Sequence, residues 1–259
     1  MHKRRGSTMM KPSHLLSADP HVKLQKNETM PAYNLPYREA VGSLIHLATV
    51  SRPDIMFAVS LVSQFLHNYN ESHWNAVKKI FKYLRGTIDF GLCYQCKPQT
   101  SDLIGYSDAD YANDVISRRS MTGYVFMKSG AAITWSSQRQ HSVALSTTEA
   151  EFMAACVATK ELMWLKQLFC DLGEYKQSSV CLNIDNQSAI NVIKNSEFHK
   201  RCKHIDIKYN FVKEKYNEKI ISLKYVSTDH QFADIFTKAL PRDRFKLLRC
   251  NIGMSNLGT

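Results

Sequence analysis

The chain has 259 residues, an apolar fraction of 44% and a formal net charge of +11. That is enough for one large domain or two small ones with an ordinary core, and the basic balance suits a polyanionic partner, nucleic acid first, beside the plainer reading of charge for solubility. No stretch is long and apolar enough to span a bilayer, Lys3, Arg4 and Arg5 are followed by no signal-peptide core, and seven cysteines are an odd count, so a membrane, secreted or disulfide-framework protein is not expected.

Residues 1–32 are expected to form a flexible basic segment, and residues 33–90 a helical one. Pro36 opens a helix with Val41, Leu44, Ile45 and Leu47/Ala48 at helical spacing. Pro53 starts a second helix, running on towards Asn70. Ser72 is a plausible N-cap for a third, which ends near Gly86 and has Val77, Ile80, Phe81 and Leu84 on its apolar face. Lys78, Lys79, Lys82 and Arg85 lie largely on the opposite face, which suits either a phosphate backbone or plain solvent.

From about residue 91 to 259 the period changes. GLCYQC, LIGYSDAD, TGYVFMKSG and AAITWSSQ read as strands, with Ser129-Gly130 as a hairpin turn. A long helix from about Thr147 to Leu172 ends at Gly173. A buried strand (SVCLNID), two helices (QSAINVIKN and HIDIKYNFVKEKYN), a strand (IISLKYVS) and a short helix (ADIFTKAL) follow. Antiparallel strands, then strands alternating with helices, predict an α/β fold: a mixed sheet with helices packed on it. The lone Cys93-x-x-Cys96 lacks a second pair at zinc spacing, and Cys156, Cys170 and Cys181 sit in apolar settings typical of core thiols.

Four acids carry the chemistry: Asp108 at a strand end, Glu151 on the long helix, Asp185 at the tip of an apolar strand, and Asp234 on the short helix. Clustered carboxylates repel unless a cation sits among them, and oxygen ligands beside a phosphate substrate favour Mg²⁺. The order points to two-metal phosphodiester hydrolysis, with the ions about 4 Å apart. Asp110 has the same strand parity as Asp108 and is a possible helper. Glu149 competes with Glu151 but lies in the first helical turn, where it can simply favour the positive helix end. Asp185 and Asp234 each have a helix-capping alternative, and Asn186 in the cap would release Asp185. His230, four residues before Asp234, is the nearest proton-shuttle candidate, and His204 is second.

The blocks GYSDADYA, SRRSMTGYVF, ITWSSQRQ, ALSTTEAEFMA, DNQSAI, KHIDIKYNFVKE and ADIFTKALP, in that order, resemble the ribonuclease H of copia-type LTR retrotransposon Pol polyproteins, over about residues 33 to 254. The upstream helices resemble the segment joining the reverse-transcriptase thumb to ribonuclease H. The resemblance implies a ribonuclease H-like fold with a five-stranded mixed sheet flanked by helices, and Asp108, Glu151, Asp185 and Asp234 as metal-binding and catalytic acids. It implies two Mg²⁺ ions, with Mn²⁺ as a substitute, and cleavage of the RNA strand of an RNA–DNA hybrid read by shape and 2′-hydroxyls. Arg118, Arg119 and Asn186 lie in matched blocks and join the basic helix as candidate nucleic-acid contacts. The family's histidine sits further upstream of the last acid, so the spacing of His230 departs from the pattern. The polymerase's acidic pair is missing, as are protease and integrase signatures, and the polymerase of the same polyprotein is the implied protein partner. The implied location is the cytoplasm, virus-like particles or the nucleus. Two other readings compete: a non-catalytic nucleic-acid-binding or scaffold remnant, and another two-metal nuclease or transposase on the same fold.

Overall fold

The computed structural model describes residues 24, 35–95, 102–114, 117–174, 179–194 and 203–258, leaving aside the side chains of 203–209. The expectations for residues 1–32 (Leu24 apart), for Cys96 and for the His204 side chain therefore lie outside the described residues.

Three helices come first. Helix α1 (Tyr37–Val50) buries Tyr37, Val41, Leu44 and Ala48, one stripe at helical spacing. Ile45 and Leu47 stand at the edge of that stripe and remain over a third exposed. After a 3₁₀ turn at Pro53–Ile55, α2 (Met56–Ser63) is shorter than its apolar run suggested. The chain turns after Ser63 so that the Phe65 ring packs 4.2 Å from the ring of His73. Helix α3 (Glu71–Gly86) is capped by Asn70 and not by Ser72. Asn70 Oδ1 accepts the His73 N–H (3.2 Å), and His73 Nδ1 accepts the Asn70 N–H (3.1 Å), which satisfies donors at both ends of the first turn.

Strand β1 (Phe90–Leu92) is followed by β2 (Ile104–Asp110), β3 (Met121–Lys128) and β4 (Ala131–Arg139). Ser129 (φ 55°) and Gly130 (φ 81°) make the β3–β4 turn; both positive angles match the twist of a tight hairpin. Helix α4 (Thr147–Asp171) is capped by Ser146, ends before Gly173 (φ 70°), and presses Ala150, Ala154, Ala155 and Ala158 into the core. Strand β5 (Val180–Ile184), α5 (Gln187–Lys194), α6 (Lys203–Asn217) and β6 (Ile221–Tyr225) complete the main sheet. Its order is β4-β3-β2-β5-β6, antiparallel through β4, β3 and β2 and parallel through β2, β5 and β6. This is the ribonuclease H-like five-stranded mixed sheet expected from the sequence.

The short helix expected around Asp234 is a 3₁₀ segment, Phe232–Phe236, stitched by bonds such as Thr237 N–H to Asp234 O (3.2 Å). Two further elements were not foreseen: α7 (Arg242–Asn251) and β7 (Met254–Asn256), which pairs antiparallel with β1.

The sheet separates two cores. One face, with Phe126 and Leu182, packs on α4 and its neighbours. The other, with Val125 and Ala132, shares a single core with α1–α3, the 3₁₀ segment and α7. The leading helices are bound to the sheet by polar contacts as well. Trp135 Nε1–H donates to Ala48 O (2.7 Å), and the Ser60 and Ser137 hydroxyls bond at 2.9 Å. A buried pair joins Arg52 to both oxygens of Asp54 (2.9 and 2.8 Å); Tyr83 donates to Asp54, and Arg249 of α7 donates to Tyr83.

Candidate active site

The site forms where β2 outlasts its neighbour. Its parallel pairing with β5 stops at Tyr106↔Asn183, while its pairing with β3 continues to Asp110↔Met121. Asp108 thus stands in a notch beside the carboxyl end of β5, the place where open α/β sheets bind ligands. Asp185 is the first residue beyond β5. Asn186 Oδ1 caps α5 by accepting the Ala189 N–H (2.9 Å), so Asp185 is released from capping.

Asp234 is not a cap either. Gln231 takes that role, accepting the Ala233 N–H (3.2 Å), and its Nε2 donates to Ser107 O (2.9 Å). This fully buried glutamine ties the 3₁₀ segment to the residue before Asp108. Gly123, the β3 partner of Asp108, makes the approach possible: a Cβ there would lie 2.7 Å from Thr237 Cγ2 and 2.8 Å from Phe236 Cβ. The Tyr106 and Phe232 rings stack at 4.4 Å on the same side.

One oxygen from each of Asp108, Asp185 and Asp234 lies within 4.8 Å of the others. Asp108 and Asp234 are buried, and Asp185 is half-buried. Glu151 stands outside that trio. Its Oε1 accepts the Ala109 N–H (3.2 Å), and its buried Oε2 has no hydrogen-bond partner among the described residues. Glu149 serves the helix end, its N–H bonded to Ser146 Oγ and its carboxylate accepting the Leu145 N–H (2.9 Å). Asp110 turns to its own loop and accepts from Asn113.

Burial pushes the Asp108 carboxyl up to about 7; Asp234 and Asp185 push the same way, against Lys238 and the Thr237 hydroxyl. Glu151 is raised by burial and by the charges of Asp108 and Asp185. Asp234 is raised by burial, with Lys238 and Arg244 opposing. Three acids raised from their ordinary values mark a site short of positive charge. An orphaned carboxylate oxygen beside three converging ones fits a hard divalent cation.

Sequence reasoning missed the groups that organise these acids. Lys238 Nζ lies 2.9 Å from Asp234 Oδ1 and 3.6 Å from Asp108 Oδ2. Arg244, on α7, is 3.4 Å from Asp234 Oδ2 and donates to the Thr228 and Asp229 carbonyls. Thr228 Oγ1 donates to Asp185 Oδ2 (3.1 Å), and Thr237 Oγ1 donates to Asp108 Oδ2. Lys238 had a local signal, four residues after Asp234 on a helix-like segment. Arg244, Thr228 and Gln231 had none.

The remaining candidates are more dispersed. His230 is exposed on a 3₁₀ turn, Thr228–His230. Arg118 (exposed) and Arg119 (half-buried) lie in the β2–β3 loop, at the sheet end that holds Asp110. Lys79, Lys82 and Arg85 are exposed and Lys78 half-buried on α3, which sits in the layer across the sheet from α4.

A five-stranded mixed sheet with acids gathered at the β2/β5 notch defines a ribonuclease H-like domain. The chain is 43% identical over 241 residues to the retrovirus-related Pol polyprotein of transposon TNT 1-94 from Nicotiana tabacum, covering 90% of this chain and 18% of that protein. It is 36% identical over 239 residues to the corresponding polyprotein of transposon RE2 from Arabidopsis thaliana, covering 92% and 16%. Over about nine-tenths of its length the chain is thus homologous to part of the Pol polyproteins of copia-type retrotransposons. It spans roughly a sixth of the length of those two relatives. A 132-residue stretch is also 46% identical to secreted RxLR effector protein 161 of Plasmopara viticola, covering 51% of this chain and 92% of that one. No protein-family model matches. Among solved structures, the N-terminal ribonuclease H domain of a Mycobacterium tuberculosis protein has a TM-score of 0.40 at 10% identity, covering 58% of this chain and 97% of that one. LC11 ribonuclease H1 in complex with RNA/DNA hybrid has a TM-score of 0.40 at 15% identity, covering 52% and 94%. No helix among the described residues is long and apolar enough to cross a membrane.

Proposed function

We propose that the chain is a metal-dependent nuclease that hydrolyses the RNA strand of RNA–DNA hybrids during retrotransposon reverse transcription. The observation that carries this reading is the convergence of Asp108, Asp185 and Asp234 within 4.8 Å, beside a buried Glu151 with an unpartnered oxygen. These four carboxylates would hold two Mg²⁺ ions, or Mn²⁺ in their place. Bound there, the ions would supply an activated water and stabilise the leaving 3′ oxygen.

The chain's own groups set the positions. Thr237 orients Asp108, Thr228 orients Asp185, and Arg244 and Lys238 hold Asp234 from two sides. The Ala109 N–H fixes one oxygen of Glu151, which leaves the other buried without a hydrogen-bond partner among the described residues. Exposed His230 is the proton-carrying candidate on this side of the site. Arg118, Arg119, Asn186 and the α3 residues Lys78, Lys79, Lys82 and Arg85 would meet the hybrid backbone, a sequence-independent and salt-sensitive contact. The polymerase of the same polyprotein is the proposed protein partner, and the site of reverse transcription, cytoplasmic or nuclear, the proposed place of action.

The competing reading is a non-catalytic hybrid-binding remnant. The presence of Lys238 among the acids favours it, because an ammonium already supplies positive charge there. Incubation of the purified chain with a labelled hybrid in Mg²⁺, in Mn²⁺ and in EDTA separates the two. Metal-dependent loss of the RNA strand alone supports the nuclease. Tight hybrid binding without cleavage in either metal supports the remnant.

A further inference from the structure

We propose that Lys238 is the built-in counter-ion of the acid cluster and competes with the divalent cation for the same carboxylates. The proposal rests on the reading of that cluster as a metal site. The ammonium lies 2.9 Å from Asp234 Oδ1 and 3.6 Å from Asp108 Oδ2, and both residues belong to the trio within 4.8 Å. An ammonium has only donors. It gives a metal no lone pair, and its charge repels the ion, so the two cannot hold these oxygens together at full strength.

Arg244 makes the contrast clear. It touches the other oxygen of Asp234 and is anchored by the Thr228 and Asp229 carbonyls, which keep it in place whatever enters the site. Lys238 has no such anchor. Its polar partners among the described residues are the two acids, and its side chain is 33% exposed on a flexible stem. A cation entering the cluster removes what holds Lys238 there, and the side chain has solvent to move into. In the metal-free protein the lysine offsets the repulsion among Asp108, Asp185 and Asp234; in exchange, it lowers the affinity for metal.

The test is a Mg²⁺ titration of the full chain without nucleic acid, followed by calorimetry and by thermal unfolding, for the wild type, Lys238→Met and Lys238→Arg. Lys238→Met should unfold at a lower temperature than the wild type in EDTA, yet bind Mg²⁺ about tenfold or more tightly, within the ordinary range of coupling between two ligands. Lys238→Arg keeps the charge and should show no such gain. A lysine that served only to brace the fold would not strengthen metal binding when removed. If the wild type binds Mg²⁺ and Lys238→Met binds it no tighter, competition is overturned while the metal site stands. If none of the three proteins responds to Mg²⁺, the metal-site reading falls and takes the proposal with it. Should Lys238→Met be unfolded in EDTA, the Mg²⁺ concentration that restores its far-ultraviolet circular dichroism gives the affinity, and failure to recover in Mg²⁺ overturns competition.

Discussion

Gly123→Ala would test whether the acid site depends on the close approach of the 3₁₀ segment to β3. The added methyl would lie 2.7 Å from Thr237 Cγ2, 2.8 Å from Phe236 Cβ and 3.1 Å from Ala233 O. Carbon atoms pack at about 3.5 Å or more, so the segment must retreat by roughly 0.8 Å. Thr237, which donates to Asp108, and Asp234 ride on that segment. Overpacking of this size costs about 1–3 kcal/mol, or about 2–12 °C in Tm for a domain of this length. A displacement near 1 Å can cost about a hundredfold in rate. Gly105→Ala is the control. It lies on the neighbouring strand β2 and overpacks the opposite face of the sheet, where its Cβ would meet Phe126 Cε1 at 2.5 Å and Leu182 Cδ1 at 3.0 Å. The two variants should unfold at similarly lowered temperatures, while hybrid cleavage falls about a hundredfold only in Gly123→Ala. Equal cleavage by both would refute the claim that the close approach positions the acids.

Asp185→Asn should abolish cleavage but leave hybrid affinity, measured by fluorescence anisotropy, largely unchanged; cleavage at the wild-type rate would remove Asp185 from the mechanism. Asp108, pushed up to about 7, stabilises the metal-free fold through its protonated form. That contribution is complete below the unfolded-state value near pH 3.9, declines as pH rises, and is gone above about pH 7, a slope on the order of 1.4 kcal/mol per pH unit. Denaturant unfolding in EDTA should therefore show wild type losing stability relative to Asp108→Asn between about pH 4 and 7, and a constant difference across that range would contradict the assignment. Asp54→Ala leaves Arg52 buried without its carboxylate and should cost about 3–5 kcal/mol. Because α1–α3 share a core with the sheet, tryptophan fluorescence and far-ultraviolet circular dichroism should show a single unfolding transition in that variant; two separate transitions would mean the helices unfold on their own.

Much of the fold was legible because its cues are local. Short strand-like runs marked β2, β3 and β4, the pair Ser129-Gly130 marked the β3–β4 turn, and Gly173 marked the end of α4. The errors are local as well. Asn70 outcompeted Ser72 because His73 could close a reciprocal cap, and α2 stopped at Ser63 although its apolar run continued. The α7 helix carried a readable signal, with Pro241 before it, Phe245 and Leu248 three apart, and Gly253 (φ 90°) after it.

By itself, the sequence determined which elements form and which acids lie at their ends, because backbone preference and hydrophobic period act over a few neighbouring residues. The tertiary structure alone decided how those acids are held. Gln231 reaches Ser107 across 124 residues of sequence, Thr237 reaches Asp108 across 129, and Arg244 bridges the Thr228 loop to Asp234. No spacing rule encodes such contacts, for they depend on Gly123 letting one segment lie against the sheet and on buried charge seeking whatever cation the packing brings within reach.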